Sequence, residues 1–398
     1  MAKFKTQVGI VGAGPAGLML GHLLHLHGVE SIILESRTRQ YCEERVRAGV
    51  LEQCAVDMLR DAGVGARLDK EGLRHEGIEI GLNHRRHRIP MTELTHGKAV
   101  TVYGQQEVVK DLIGRRIADG GKIRFECGEV TLYGIDGGRP SIRCVRDDDE
   151  DTVECDFIAG CDGFHGISRP SIPQSEWVGY DRTYPFAWLG ILAEAAPSRE
   201  ELVYMHGARG FALYSMRSPS ITRLYLQCKP DEQIEEWSDD RIWSELQTRL
   251  RCTDGWAPTE GRVLQKGVTG MRSFVTEPMQ YGSLYLAGDA AHIVPPTGAK
   301  GMNLAMADVW VLAEAFSKFY IDGSRDRLKN YSAICLRRVW KAQRFSWWMT
   351  SLLHRFDDAS PFDQRRQLAD LDYVTSSVAA ATSLAENYVG LPMECEGF

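Results

Sequence analysis

A chain of 398 residues is too long for one small core and suits two or three domains sharing one body. With 43% hydrophobic and 25% charged residues it has the balance of a soluble globular protein, and a formal charge of −7 argues against a broad nucleic-acid surface while leaving room for a local basic pocket. No apolar run approaches the roughly 20 residues of a membrane span. The start MAKFKTQVGIVGAG has no signal-peptide cleavage site, and ten cysteines without a C-x-x-C pair point to reduced thiols in a cytoplasmic protein with no metal site.

The first element is an apolar strand, Val8 to Val11. Gly12, Gly14 and Gly17 then complete G-x-G-x-x-G, a helical spacing runs to Gly28, and a second strand, SIILE, ends in Glu35. The glycines allow a tight turn, close approach of backbone to a pyrophosphate, and close packing of helix on strand. The helix start offers free N–H groups to the phosphates, and Glu35 falls where an acid accepts from ribose hydroxyls. This is a dinucleotide-binding unit, and by itself it does not separate a flavin from a nicotinamide dinucleotide. Further along, the basic run HRRHR from His84 to Arg88 reads as a wet face, and the acidic run RDDDEDT from Arg146 to Thr152 as a solvated hairpin tip.

Two later stretches favour FAD. DFIAGCDGFHGISR carries Asp162 after an apolar strand, and LYLAGDAAHIVPPTGAKGMNLA carries Gly288 and Asp289 after another. Strand ends with Gly and Asp that converge on one dinucleotide characterise the glutathione-reductase-like FAD fold. Asp289 then suits the ribityl chain, and Gly298 to Asn303 the flavin edge, where a helix N-terminus stabilises negative charge. A strand-end acid such as Asp162 also serves as a turn cap.

With these motifs, RAGVLEQ, RGFALYSMRS, YSAICLRRVWKAQRFSWWMTSLLHRF and AENYVGLP, the chain resembles the single-component flavin aromatic hydroxylases over about residues 6 to 392. The resemblance implies an α/β protein: an FAD-binding Rossmann domain over 1–178 with a returning segment at 276–320, a β-sheet substrate domain over 179–275, and a helical interface region over 321–398. It also implies hydroxylation of 4-hydroxybenzoate at C3 to 3,4-dihydroxybenzoate. FAD is the bound cofactor, NADPH or NADH a transient cosubstrate, and O2, added at flavin C4a as a hydroperoxide, the oxidant.

Such chemistry needs an ionised phenol. Its pKa near 10 leaves about three units, roughly 4 kcal/mol, for the site to supply near pH 7. On the residues alone Tyr204 and Tyr388 read as packing; the resemblance makes Tyr204 the contact to the phenol oxygen, Tyr388 the second link of a proton path, and His75 its solvent end. Ser215, Arg217 and Tyr225 match a carboxylate clamp, and their odd numbering allows one sheet face to present all three. The Pro296 carbonyl would meet the substrate edge, while Lys300 adds positive charge and Asn303 holds the helix start. The same resemblance gives FAD contacts to Arg45, Arg47 and Gln105, control of flavin position to Arg223, and the nicotinamide pyrophosphate to His165, Arg272 and Arg47.

Two departures matter. Ser36 stands where NADPH-dependent members commonly carry a base, so NADPH and NADH both stay open. Tyr214, beside Ser215, is bulky and is expected to alter pocket volume, which keeps related phenolic or amino benzoates open. An aromatic-acid sensor without turnover is the alternative of another class. Trp340, Trp347 and Trp348 suggest an interface layer and a homodimer.

Overall fold

The computed structural model describes residues 2–47, 49–147 and 149–393. Four short strands, Leu284–Leu286, Phe157–Gly160, Val8–Val11 and Ser31–Leu34, lie side by side and parallel, extended by Lys122–Arg124 at one edge and by antiparallel Gln280–Tyr281 at the other. All four are buried along their whole length, since the helix Pro15–Leu26 covers one face, against Ile10 and Ile33, and a second sheet covers the other, where a Cβ on Gly9 would meet Ile142. The helix Pro15–Leu26 packs against the helices Gly301–Asp322 and Gln105–Ala118. Its closeness to the sheet depends on Gly17, where a Cβ would come within 2.0 Å of the Gly12 carbonyl oxygen. Gly12 itself has φ +104°, and a Cβ there would meet the Cys161 carbonyl oxygen at 2.4 Å. This is the α/β, FAD-type Rossmann half that the glycine spacing implies.

The second half is an eight-stranded mixed sheet in the order His292–Ile293, Arg262–Glu277, Val178–Glu194, Ile221–Cys228, Ala212–Ser218, Leu202–Met205, Ile78–Leu82, Arg85–Ile89. It draws strands from outside 179–275 at both edges. Alternation along its strands gives two faces. Leu189, Ile191, Val203, Met205, Tyr214 and Leu224 pack under the helix Asp239–Leu250. Trp188, Tyr204, Phe211 and Leu213 face the other way, into a core shared with the C-terminal helices Asp326–Leu353, Pro361–Ser376 and Val378–Val389. A small sheet of Val50–Leu51, Val100–Val102 and Leu73–His75 joins the two halves, and a four-stranded sheet (Ala2–Lys5, Asp149–Glu154, Ser141–Arg146, Gly128–Tyr133) flanks the first.

Two charge runs match their sequence reading in part: the acidic run is a hairpin tip with Asp147, Asp149 and Glu150 exposed, and His84, Arg85 and Arg88 of the basic run are exposed. The acidic run turns over near Asp147, which has φ +53°, and re-enters a strand at Asp149. Asp151 is therefore buried and paired with Arg124 rather than solvated. The basic run forms the edge strand Arg85–Ile89, where Arg86 pairs with Asp254 and, at 3.3 Å, with Glu79, under the Trp256 ring; Arg88 binds Glu201. The paired strand supplies Glu79, and turns distant in sequence supply Asp254 and Glu201, so only part of this face is wet.

Gly17→Ala should force the first helix off its strand, because the 2.0 Å approach is to backbone, which cannot rotate away. A loss of about 1–3 kcal/mol, the usual cost of overpacking, is expected in urea denaturation. An unchanged midpoint would contradict the contact.

Candidate active site

The first strand of the Rossmann half delivers its glycine turn to the N-terminus of Pro15–Leu26, and Gly14 has open space where a Cβ would stand. Glu35 follows the second strand; its carboxylate accepts from the Ala13 N–H at 2.7 Å and the Arg37 N–H at 2.8 Å. Asp162 is both a cap and an orphan. Its Oδ2 takes the Ser168 N–H and hydroxyl, each at 2.9 Å, while buried Oδ1 has no partner among the described residues. Burial, only partly offset by those bonds, pushes the Asp162 carboxyl above its ordinary pKa.

Asp289 sits in a one-turn 3-10 helix, Gly288–Ala290. Protein surrounds it on most sides, yet its own surface is exposed to a cleft. Burial raises its pKa, against His292, Arg47 and Arg45, which favour the carboxylate. Arg47 in turn senses Arg45, Asp289 and Arg223, so these four groups share one neighbourhood. Gln105 opens the helix Gln105–Ala118 next to this segment: Gly49 accepts from the Tyr103 N–H at 2.8 Å, and a Cβ on Gly49 would lie 2.8 Å from the Gln105 nitrogen. A glycine cradle at a helix start, an unpartnered buried carboxylate oxygen and an open strand-end aspartate suit a dinucleotide with hydroxyl groups. The residues present fit FAD.

On the sheet, Ser215 pairs with Arg223, and Leu213 with Tyr225, which in turn faces Gly190 on the next strand. Ser215, Arg223 and Tyr225 thus share a face with Tyr204, whose partner is Leu213. Arg217 lies in an irregularity between the Met216 and Ser218 pairings. Its guanidinium lies beside the Tyr225 hydroxyl, as does that of Arg223, which stands 5.2 Å over the Tyr225 ring. Nonetheless Arg217 Nε and Nη1 and Arg223 Nη1 are buried without a partner among the described residues. Burial pushes the Tyr225 phenol up, but the two guanidiniums outweigh it and hold it below its ordinary value. Gly190 makes room for this cluster, since a Cβ there would stand 2.8 Å from Arg223 Nη2. Cations with spare donors and no carboxylate form a receptor for a planar anion.

Tyr204 and Tyr388 are joined hydroxyl to hydroxyl at 2.5 Å, both buried. Burial raises the pKa of each, so both are neutral and can relay a proton. His75 is 1% exposed, with neither ring nitrogen hydrogen-bonded. It therefore stands under cover rather than at the surface, and no direct hydrogen bond links it to either tyrosine among the described residues. Burial first, then Arg217 against Glu201, takes its pKa down to about 4.

Pro296 is exposed, and its carbonyl accepts from the Ala299 N–H at 2.9 Å, leaving a second lone pair. Gly298 is required where Phe345 and Ser346 press in, the latter 2.9 Å from a built Cβ. Lys300 is buried; it donates to Glu52 at 2.5 Å, to the Asn387 carbonyl and to the Tyr388 carbonyl at 3.2 Å. Arg338 reaches the other Glu52 oxygen at 2.6 Å and the Leu391 carbonyl at 2.7 Å. Asn303 accepts the Glu52 N–H at 2.9 Å and donates to Val50 and Ala299 carbonyls. Lys300 thus shares the one Glu52 carboxylate with Arg338, in a cluster that keeps a net positive charge and fastens the tail carrying Tyr388. Glu52 and Arg338 were not singled out by sequence reasoning, although both lie inside the quoted motifs RAGVLEQ and YSAICLRRVW.

His165 is exposed and packs on Phe164 at 5.1 Å. Arg272 lies 4.6 Å over the same ring and is ion-paired with Asp181. Tyr214 corrects an expectation. Adjacent to Ser215, it points to the opposite face, where its hydroxyl accepts from the Ser198 N–H at 2.6 Å and its ring meets Trp256. It does not narrow the site. Beyond Glu35, Arg39 is bound to Glu43 at 2.7 Å, and a cleft of about 530 Å³ beside Arg37 and Tyr41 also carries Glu126, Glu129 and Asp147.

The chain matches the family described as FAD binding domain over residues 5–346. It is 49% identical to a p-hydroxybenzoate hydroxylase of Acinetobacter baylyi over 394 residues, 99% of this chain and 97% of the relative. It is 24% identical over 321 residues to a 3-(3-hydroxy-phenyl)propionate/3-hydroxycinnamic acid hydroxylase of Paraburkholderia xenovorans, covering 77% of this chain and 50% of the relative. Its fold is shared with p-nitrophenol 4-monooxygenase from Pseudomonas putida at a TM-score of 0.83, 17% identity, and coverage of 98% and 100%. No helix among the described residues is long and apolar enough to cross a membrane.

The buried imidazole has a consequence for acid stability. His75 titrates near 4 when folded and near 6.5 when unfolded, so between those values the unfolded chain binds a proton that the native state refuses. Stability is full above about pH 6.5 and falls as pH drops towards 4. At pH 4.5 this group accounts for about 2–3 kcal/mol, and His75→Gln should flatten the decline between pH 7 and 4.5 by that amount in urea titrations. An imidazole NMR midpoint near 6.5 would refute it.

Proposed function

The chain belongs to the FAD binding domain family, and we propose that within it this protein is the monooxygenase that converts 4-hydroxybenzoate to 3,4-dihydroxybenzoate. The observation that carries this reading is a sheet wall where Arg217 and Arg223 keep shielded guanidinium nitrogens without partners among the described residues, together with the hydroxyl pair that joins Tyr204 to Tyr388 of the last helix. A ligand with a carboxylate at one end and a phenol at the other satisfies both.

In this reading Ser215, Arg217 and Tyr225 hold the carboxylate. Tyr204 faces the phenol oxygen and passes its proton to Tyr388, with His75 further along the path. Electrons that leave the phenol oxygen for the ring make C3 nucleophilic. Bound FAD supplies reduction by NAD(P)H and activation of O2. Gly12, Gly14, Gly17 and Glu35 hold its adenosine diphosphate part, Arg45, Arg47, Gln105, Asp162 and Asp289 its sugar-alcohol chain, and Gly298, Lys300 and Asn303 the segment at its ring. The Pro296 carbonyl borders the substrate edge, and Arg223, between Arg47 and Tyr225, governs the flavin's place. His165, Arg272 and Arg47 receive the nicotinamide cosubstrate. We further propose a cytoplasmic homodimer. Support comes from exposed apolar side chains on the C-terminal helices: Phe362 at 75%, Tyr373 at 59% and Val378 at 73%. With Tyr214 turned away, the argument it gave for a shifted substrate range lapses.

Tyr204→Phe should bind 4-hydroxybenzoate within about threefold of the parent yet hydroxylate it about 100-fold more slowly, the low end of what a positioned proton-transfer group contributes. Unchanged turnover would remove this tyrosine from the mechanism. Arg217→Gln should weaken binding by 100-fold or more, since it leaves an anion facing a neutral amide. Product analysis with 3- and 4-hydroxybenzoate and each reduced nicotinamide tests the reaction itself. Faster turnover of the 3-isomer would overturn the regiochemistry.

A further inference from the structure

The last turn of the helix Asp326–Leu353 and the residue that caps it, His354, do something the reaction scheme above does not use. His354 is fully buried. Its Nδ1 lies 3.0 Å from the Thr350 carbonyl oxygen, and its Nε2 lies 2.6 Å from Trp188 Nε1. A carbonyl only accepts, so Nδ1 carries the proton; the bare Nε2 is then the acceptor that an indole N–H, which only donates, requires. One tautomer satisfies both neighbours. Burial holds the imidazole down near a pKa of about 3, so it stays in that neutral form under ordinary conditions.

What this imidazole holds is the wall of the aromatic-acid cavity. Trp188 lies on the same sheet face as Tyr225 and Tyr204, its ring 4.8 Å from that of Tyr225. His354 stacks at 4.6 Å on Phe186 and packs at 4.4 Å against Phe211, which itself touches Tyr204. The same helix turn also reaches the proline turn: the Thr350 hydroxyl donates to Thr297 at 2.9 Å, inside the turn Pro296–Gly298. Thr350 and His354 thus fix the indole wall and the proline turn relative to each other.

We infer that His354, with Thr350, is a positioning residue that sets the width of the slot between Trp188 and the Pro296 turn, and hence its selectivity for a single unsubstituted hydroxybenzoate ring. The inference rests on reading this cavity as the aromatic-acid site. A phenylalanine would fill the same space and stack on the same rings, so packing alone does not call for histidine; the indole N–H does.

The test uses the holoenzyme and starts without a variant. In a 15N–1H spectrum the indole N–H of Trp188, assigned by its loss in Trp188→Phe, should be shifted downfield by the imidazole acceptor and slow to exchange. A free-shift, fast-exchanging resonance in the parent protein overturns the proposal outright. Next, His354→Phe should lose that shift, raise the dissociation constant of 4-hydroxybenzoate about tenfold and that of 3-methyl-4-hydroxybenzoate less, narrowing the ratio. His354→Gln, whose side-chain oxygen can accept from the indole, should restore both shift and ratio to within about threefold. Unchanged binding ratios in a folded His354→Phe protein overturn the proposal. If that variant does not fold, failure of the glutamine variant to keep the parent ratio does so instead. A parent protein that binds no hydroxybenzoate would sink the functional reading while the indole resonance still reported on the contact.

Discussion

Guanidinium nitrogens shielded from solvent without a carboxylate are costly in a protein interior, and half-buried Arg217 has two of them. Two of its nitrogens lack partners, a second guanidinium stands close by, and the nearest polar group is a phenol rather than an acid. An imidazole within range of the same charge is kept neutral. In the proposed reading an incoming carboxylate meets these donors, and the same positive field lowers the cost of ionising a phenol across the ring, so that carboxylate binding and phenol activation are one arrangement seen from its two ends.

That arrangement needs a tyrosine from the far end of the chain. Tyr204 and Tyr388 are 184 positions apart, and their hydroxyls meet because Lys300, Glu52 and Arg338 grip the backbone on both sides of Tyr388. Gly390, with φ +100°, lies so close to Glu52 that a Cβ would stand 2.3 Å from its carboxylate oxygen. The buried ion cluster acts on geometry: Glu52 binds both cations, and these spend their remaining hydrogen bonds on four carbonyls of the tail, those of Asn387, Tyr388, Leu391 and Pro392. A polar cluster of this kind is satisfied only when every member is in place, which makes the position of the tail specific as well as stable.

The Rossmann half was legible residue by residue because each demand there is local: a glycine where backbone meets backbone, an acid at the next strand end. Asp289 and the Pro296 turn were legible as an unusual density of special residues. The tyrosine pair was not, since nothing within ten residues of Tyr388 speaks of Tyr204; only resemblance to known hydroxylases joined them. The misreadings share a cause. Arg86 and Asp151 looked solvated because their ion partners arrive by strand pairing and tertiary packing. Tyr214 was placed in the cavity by adjacency to Ser215, although the two-residue period of a strand assigns neighbours to opposite faces. Glu52, Arg338 and His354 escaped notice because their roles lie wholly in contacts across the fold.

The eight-stranded sheet has a bearing on descent and engineering. One edge is His292–Ile293, the residues just past the Asp289 turn, and the other is Arg85–Ile89, from the early part of the chain. Cofactor cradle and substrate wall are thus stitched into a single hydrogen-bonded ladder. The halves are not interchangeable cassettes: a chimaera spliced at the ends of 179–275 would import a sheet whose outermost strands remain behind in the recipient. In such an architecture the inner face is open to change one side chain at a time, and Gly190 is a sensitive position there, since a Cβ would stand 2.8 Å from Arg223 Nη2.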